Sequence, residues 1–151
     1  MSANMSIGQL FLNNLWSIIP EVILLAGSCF ILLFDLFVKD KTKVCTFLLS
    51  CGVLILTFIY MMFEHPLLHP VAFGGQYYCD GFSIFIKAIC CICLFATFIY
   101  SRRYWCAKKD IDGVKNEFYV LSLLSLLGGF VMISAGSLLV LYLGLELLSL
   151  P

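Results

Sequence analysis

Glu146 stands inside the apolar run from Ser137 to Pro151, with leucines on both sides and no basic residue near it along the chain. A carboxylate near the middle of a bilayer costs roughly 2.5–3.5 kcal/mol on insertion scales. Acids kept at such depth handle protons or ions, or pair with a buried base. Desolvation favours the neutral acid and a neighbouring lysine favours the ion, so a group held between the two can load and release a proton. The plainer alternative is a protonated or hydrogen-bonded Glu that only orders helix packing. Lys87 is the second candidate, about one and a half turns into its own apolar run at helical pitch. Its stem can snorkel to an interface, or its amine can serve as a buried base in a polar path. Glu21 follows Pro20 where an acid suits the positive end of a helix dipole; a place in a proton path is its alternative. Asp35, close to Lys39, reads as interfacial.

Other reactive residues point nowhere in particular. Cys90, Cys91 and Cys93 contain a Cys-x-x-Cys spacing, but they lie in an unbroken apolar stretch where a thiol behaves as a small hydrophobe. No disulfide framework and no metal site is expected. His65 and His69 are four apart, yet Pro66 and Pro70 break the helix that would make them a ligand pair. There is no phosphate-binding loop, dinucleotide fingerprint or repeat.

The elements that must hold these residues are membrane helices. The 151 residues are 62% hydrophobic and 12% charged, with zero formal net charge, far from the composition of a soluble domain. No basic tract suggests nucleic acid as a partner. Crossing a bilayer takes about 20 apolar residues at about 1.5 Å each. Runs over about 15–38, 44–63, 82–100 and 118–135 meet that length. A fifth, over 137–151, reaches only about 22 Å and reads as a helix cut short. The expected fold is an all-α, polytopic transmembrane bundle of four full helices plus a truncated fifth, in a single membrane region over 1–151. The first run is long for a signal core and lacks a basic n-region before it, so it reads as a retained helix.

Lysines and arginines set the orientation. Lys39, Lys41 and Lys43 crowd the first loop, and Arg102, Arg103, Lys108, Lys109 and Lys115 the third, whereas the second, 64–81, has none. The positive-inside rule places the basic loops in the cytoplasm and the N-terminus outside. The fifth helix then enters from the outer face, and Glu146 falls roughly 15 Å along it, near the midplane. Gly128 and Gly129 read as a site of close helix packing.

The segment Leu141-Tyr142-Leu143-Gly144-Leu145-Glu146-Leu147-Leu148-Ser149-Leu150-Pro151 resembles a signature of the antiporter-like membrane subunits of respiratory complex I, in the branch of bacterial subunit N. Ile19-Pro20-Glu21, Asp80-Gly81-Phe82 and Glu117-Phe118-Tyr119 agree with that resemblance, which is collinear over nearly the whole chain. One departure is Gly136-Ser137, where many of that family carry Asn-Asp. The resemblance implies a proton-translocating subunit with no cofactor of its own, quinone, FMN and iron–sulfur clusters belonging elsewhere in the complex. It implies that Glu146 carries protons by pairing with a lysine on a later helix, that Lys87 falls where the family can carry a lysine, and that the partners are the other membrane subunits and the lipid bilayer. The family has about fourteen helices in an inverted repeat, so this chain reads as an N-terminal part without a complete active site. The expected location is the bacterial inner membrane. Two alternatives stand beside this reading: a non-functional truncated membrane stub, and a subunit of a multi-subunit cation/proton antiporter.

Overall fold

The computed structural model describes residues 18–37, 43–63, 71–72, 75–107 and 114–151. Among them are five α-helices: α1 Ile19–Phe37, α2 Lys43–Phe63, α3 Gly81–Ala107, α4 Val114–Ile133 and α5 Leu138–Ser149. A short antiparallel pair, β1 Val71–Ala72 and β2 Tyr77–Tyr78, joins α2 to α3. The all-α membrane class expected from composition is the architecture observed. Stretches 45–63 and 81–102 are long and apolar enough to cross a membrane, and 117–133 and 138–149 are shorter apolar helices. The basic-loop residues Lys39, Lys41, Lys108 and Lys109, and the pair His65 and His69, lie outside the described residues.

Each helix turns one stripe inward, and the stripes decide which polar residues are buried. On α1 the buried positions include Glu21, Leu24, Ser28 and Ile31; on α2 they include Thr46, Ser50, Leu54, Thr57 and Met61. These steps of three and four residues are one face of a helix. On α3 Ile84, Lys87, Ala88, Cys91 and Phe98 share such a face, and on α4 Tyr119, Val120, Leu123, Leu127 and Phe130. α4 packs against all four other helices and forms the middle of the bundle. The remaining faces carry Phe30, Phe37, Phe82, Ile92 and Leu138 outward. An apolar surface of that extent suits lipid rather than water.

Buried hydroxyls need acceptors in so dry an interior. Ser50 donates to the carbonyl of Thr46 at 2.8 Å, Thr57 to that of Val53 at 2.8 Å, and Ser28 to that of Leu25 at 2.9 Å. Each is satisfied within its own helix. Near the far end of α3, Phe98 meets Tyr119 edge-on at 5.0 Å, and the Arg102 guanidinium stands 4.7 Å from the centroid of the Phe47 ring. This explains why α3 outruns its expected end at 100: charge terminates an apolar span, not a helix, and an arginine stem still packs.

α4 and α5 form a tight helical hairpin. A Cβ on Gly128 would stand 2.6 Å from the backbone nitrogen of Leu148, and one on Gly144 2.9 Å from that of Met132. Only glycine allows the two backbones this approach. Gly129 is not at the closest contact; its nearest neighbour is the end of the Leu148 side chain. Ser137 caps α5, its hydroxyl accepting from the backbone N–H of Val140 at 3.4 Å. Serine is a good N-cap without a charge, so α5 starts properly where the family motif would place an acid. The hairpin's turn is tied to the β pair: Tyr78 N–H donates to the Ser134 carbonyl at 3.0 Å and Gly136 N–H to that of Gln76 at 2.8 Å.

Candidate functional site

The inward stripes of α1 and α3 bring Glu21 and Lys87 together. Each sits within the first two turns of its helix, and both helices start at the end of the bundle that carries the β hairpin. Lys87 Nζ is 2.6 Å from Glu21 Oε1, with the side chains 2% and 7% exposed. Lys87 therefore does not snorkel. Tyr77, delivered by β2, completes a triangle: its hydroxyl donates to Glu21 Oε1 at 2.7 Å and accepts from Lys87 Nζ at 2.9 Å. Burial, and then the adjacent Glu21 carboxylate, push the Tyr77 phenol above its ordinary range, so it stays protonated and donates.

Polar contacts extend from this triangle toward α4. Ser134 hydrogen-bonds the Tyr77 hydroxyl, and Ser83 and Ser134 share a hydrogen bond at 3.2 Å. The Lys87 ammonium also stands 5.4 Å from the Phe130 ring centroid and 5.2 Å from that of Tyr77, close enough for cation–π attraction. One atom is left over. Glu21 Oε2 is buried without a hydrogen-bond partner among the described residues.

Glu146 is placed differently. Gly144 faces α4, and two residues on the helix has turned through about 200°, so Glu146 lies on the opposite, exposed side of α5. Leu143, Leu145 and Leu150 are exposed around it. Tyr142 stands one turn back on the same exposed side of α5. Lys87 and Glu146 thus belong to separate places: the lysine is engaged with Glu21, and the glutamate faces outward. Asp35, at the other end of α1, accepts a long hydrogen bond of 3.4 Å from Thr46.

Tyr77 escaped the sequence reading altogether, and the Glu21–Lys87 pairing did too. A separation of 66 residues hides the pair, but both residues lie near the start of alternate helices, which an up-and-down bundle brings to one end. The described cysteines are free thiols, and no cluster of His, Cys, Asp or Glu suited to a metal occurs among the described residues.

The comparisons with known proteins agree on one relationship. The chain is 37% identical over 139 residues to NADH-quinone oxidoreductase subunit N of Herminiimonas arsenicoxydans, which covers 91% of this chain and 28% of that protein. It is 39% identical over 132 residues to the subunit N of Halorhodospira halophila, covering 87% and 27%. The Coxiella burnetii subunit N is 34% identical over 146 residues, covering 93% and 29%. By sequence, this chain is a relative of NADH-quinone oxidoreductase subunit N. It spans somewhat more than a quarter of the length of those relatives. No protein-family model matches it. By name these relatives are subunits of an NADH-quinone oxidoreductase, and the apolar helices make this chain a membrane protein.

Proposed function

We propose that this chain is part of a proton-translocating membrane subunit of an NADH–quinone oxidoreductase, and that Glu146 is its proton carrier. The observation that carries the proposal is Glu146 itself: a carboxylate on the open, leucine-rich face of an apolar helix whose other face is locked to α4. Such a group is stable at membrane depth only when neutral or matched by a base. The open face leaves room for that base on a further membrane helix, and moving the base toward or away from Glu146 exchanges a proton. Lys87 is a second candidate proton carrier, deeper in the polar cluster.

On this reading the redox chemistry takes place in other subunits, and quinone, flavin and iron–sulfur clusters are held there. This chain supplies proton handling alone. The basic loops face the cytoplasm, the β hairpin faces outward with the N-terminus, and the membrane is the bacterial inner membrane. The partners are the other membrane subunits of the complex and the lipid.

Native gel electrophoresis after mild detergent extraction tests the assignment. The expected result is co-migration of the chain, or of the polypeptide it belongs to, with NADH-oxidising activity. Migration apart from that activity would remove the assignment.

A further inference from the structure

The cluster at the hairpin end has a feature that holding the bundle together does not require. Lys87 and Tyr77 both bind the same oxygen of Glu21, Oε1, and leave Oε2 buried without a partner among the described residues. An ion pair built only for stability would satisfy both carboxylate oxygens, because a buried oxygen left without a donor is destabilising. Two donors on one oxygen and none on the other instead hold the carboxylate in one orientation with a free basic site. Ser83 and Ser134 add two more buried hydroxyls beside Tyr77, enough to extend a hydrogen-bonded path.

We propose that Glu21 is a further proton-carrying group of this bundle, taking up the proton on Oε2 while Lys87 and Tyr77 position it through Oε1. The ligand is a proton delivered from water at the hairpin end. An O–H bond of a hydronium ion breaks, the Oε2–H bond forms, and a neutral water leaves, with no redox change. The proton's use in translocation rests on the function proposed above; the uptake itself does not, and it is separate from Glu146.

Among the described residues, the groups able to tune the site are few. Tyr77 faces Glu21 from β2 and Lys87 from α3, with Cys79 next to Tyr77 and Asp80 exposed just before α3. The charged residues in the sequences of the other two helices packed on α1 are Lys43 at the start of α2, and Lys115 and Glu117 at the start of α4. Both starts are at the opposite end of the bundle.

Infrared difference spectroscopy of the full chain in lipid nanodiscs, stepped from alkaline to acid, reads the uptake as a carboxylic-acid carbonyl band that shifts in heavy water. The expected result is a band abolished by Glu21→Gln and retained in Glu146→Gln. Lys87→Met is expected to keep the Glu21-dependent band and move it to higher wavenumber, because one of the two donors on Oε1 is gone. Glu21→Gln/Lys87→Met, which removes both charges, serves as the folding control by circular dichroism. A band that survives Glu21→Gln, or the absence of any Glu21-dependent band in both the parent and folded Lys87→Met, overturns the proposal. Normal proton pumping by Glu146→Gln would instead remove the role of Glu146 and leave this site standing.

Discussion

Two acids in the apolar part of this chain, Glu21 and Glu146, meet the same physical problem and meet it differently. Glu21 lies on the inward stripe of α1 and finds Lys87 and Tyr77 within the chain. Glu146 lies on the outward side of α5 with Tyr142 beside it. The difference comes from helix register. Glu21 is in step with Leu24, Ser28 and Ile31, whereas Glu146 is two residues out of step with Gly144 and Leu148, which touch α4. A buried acid with its base in the same bundle is part of the fold. An acid on an open face is available to a partner.

Breaking the pair should have the largest effect. Lys87→Met leaves Glu21 buried with its charge uncompensated, which costs about 3–5 kcal/mol. Unfolding of the chain in micelles by denaturant should show that loss, while Glu146→Ala should stay within about 0.5 kcal/mol of the parent. Removing both members by Glu21→Gln/Lys87→Met should restore most of the stability, since a neutral pair of similar size avoids the desolvation of two ions.

Next is the contact that turns Glu146 outward. Gly128→Leu places a side chain against the Leu148 backbone, and overpacking of this kind costs about 1–3 kcal/mol. Cross-linking between cysteines introduced on α4 and α5 should fall in this variant, with the Glu21–Lys87 end unaffected.

Tyr77→Phe deletes the hydroxyl that donates to Glu21 and accepts from Lys87, for about 1.5–3 kcal/mol. It should also speed amide exchange in the hairpin, because Tyr77 is what fastens β2 to α1. Ser137→Ala removes the cap of α5 and should cost about 1 kcal/mol. It should loosen the first turn of α5 without touching Glu21.

The helices behind this contrast were legible in the sequence, the facing of the two acids was not, and the reason is physical. The helices followed from run length, whereas the stripe that each turns inward emerged only with the packing of Leu24, Ser28 and Ile31. The ends were less legible, because hydropathy marks where an apolar run stops and not where a helix does, as the extension of α3 to Ala107 demonstrates. The dipole at the start of α1 accounts for an acid at Glu21 but says nothing of a lysine 66 residues on. The snorkelling reading of Lys87 gave way because β2 closes over that end and supplies a hydroxyl where water would otherwise stand. Tyr77 gave no sequence signal, since a tyrosine in an irregular loop looks like any interfacial aromatic. Glu146 stood out for the opposite reason: nothing in its own helix explains it.

That residue carries the account, and proton pumping by the assembled complex tests it most directly. With Glu146→Gln in the subunit, reconstituted in vesicles and supplied with NADH and quinone, the account expects fewer protons moved for each NADH oxidised. An unchanged ratio of protons to NADH would contradict it.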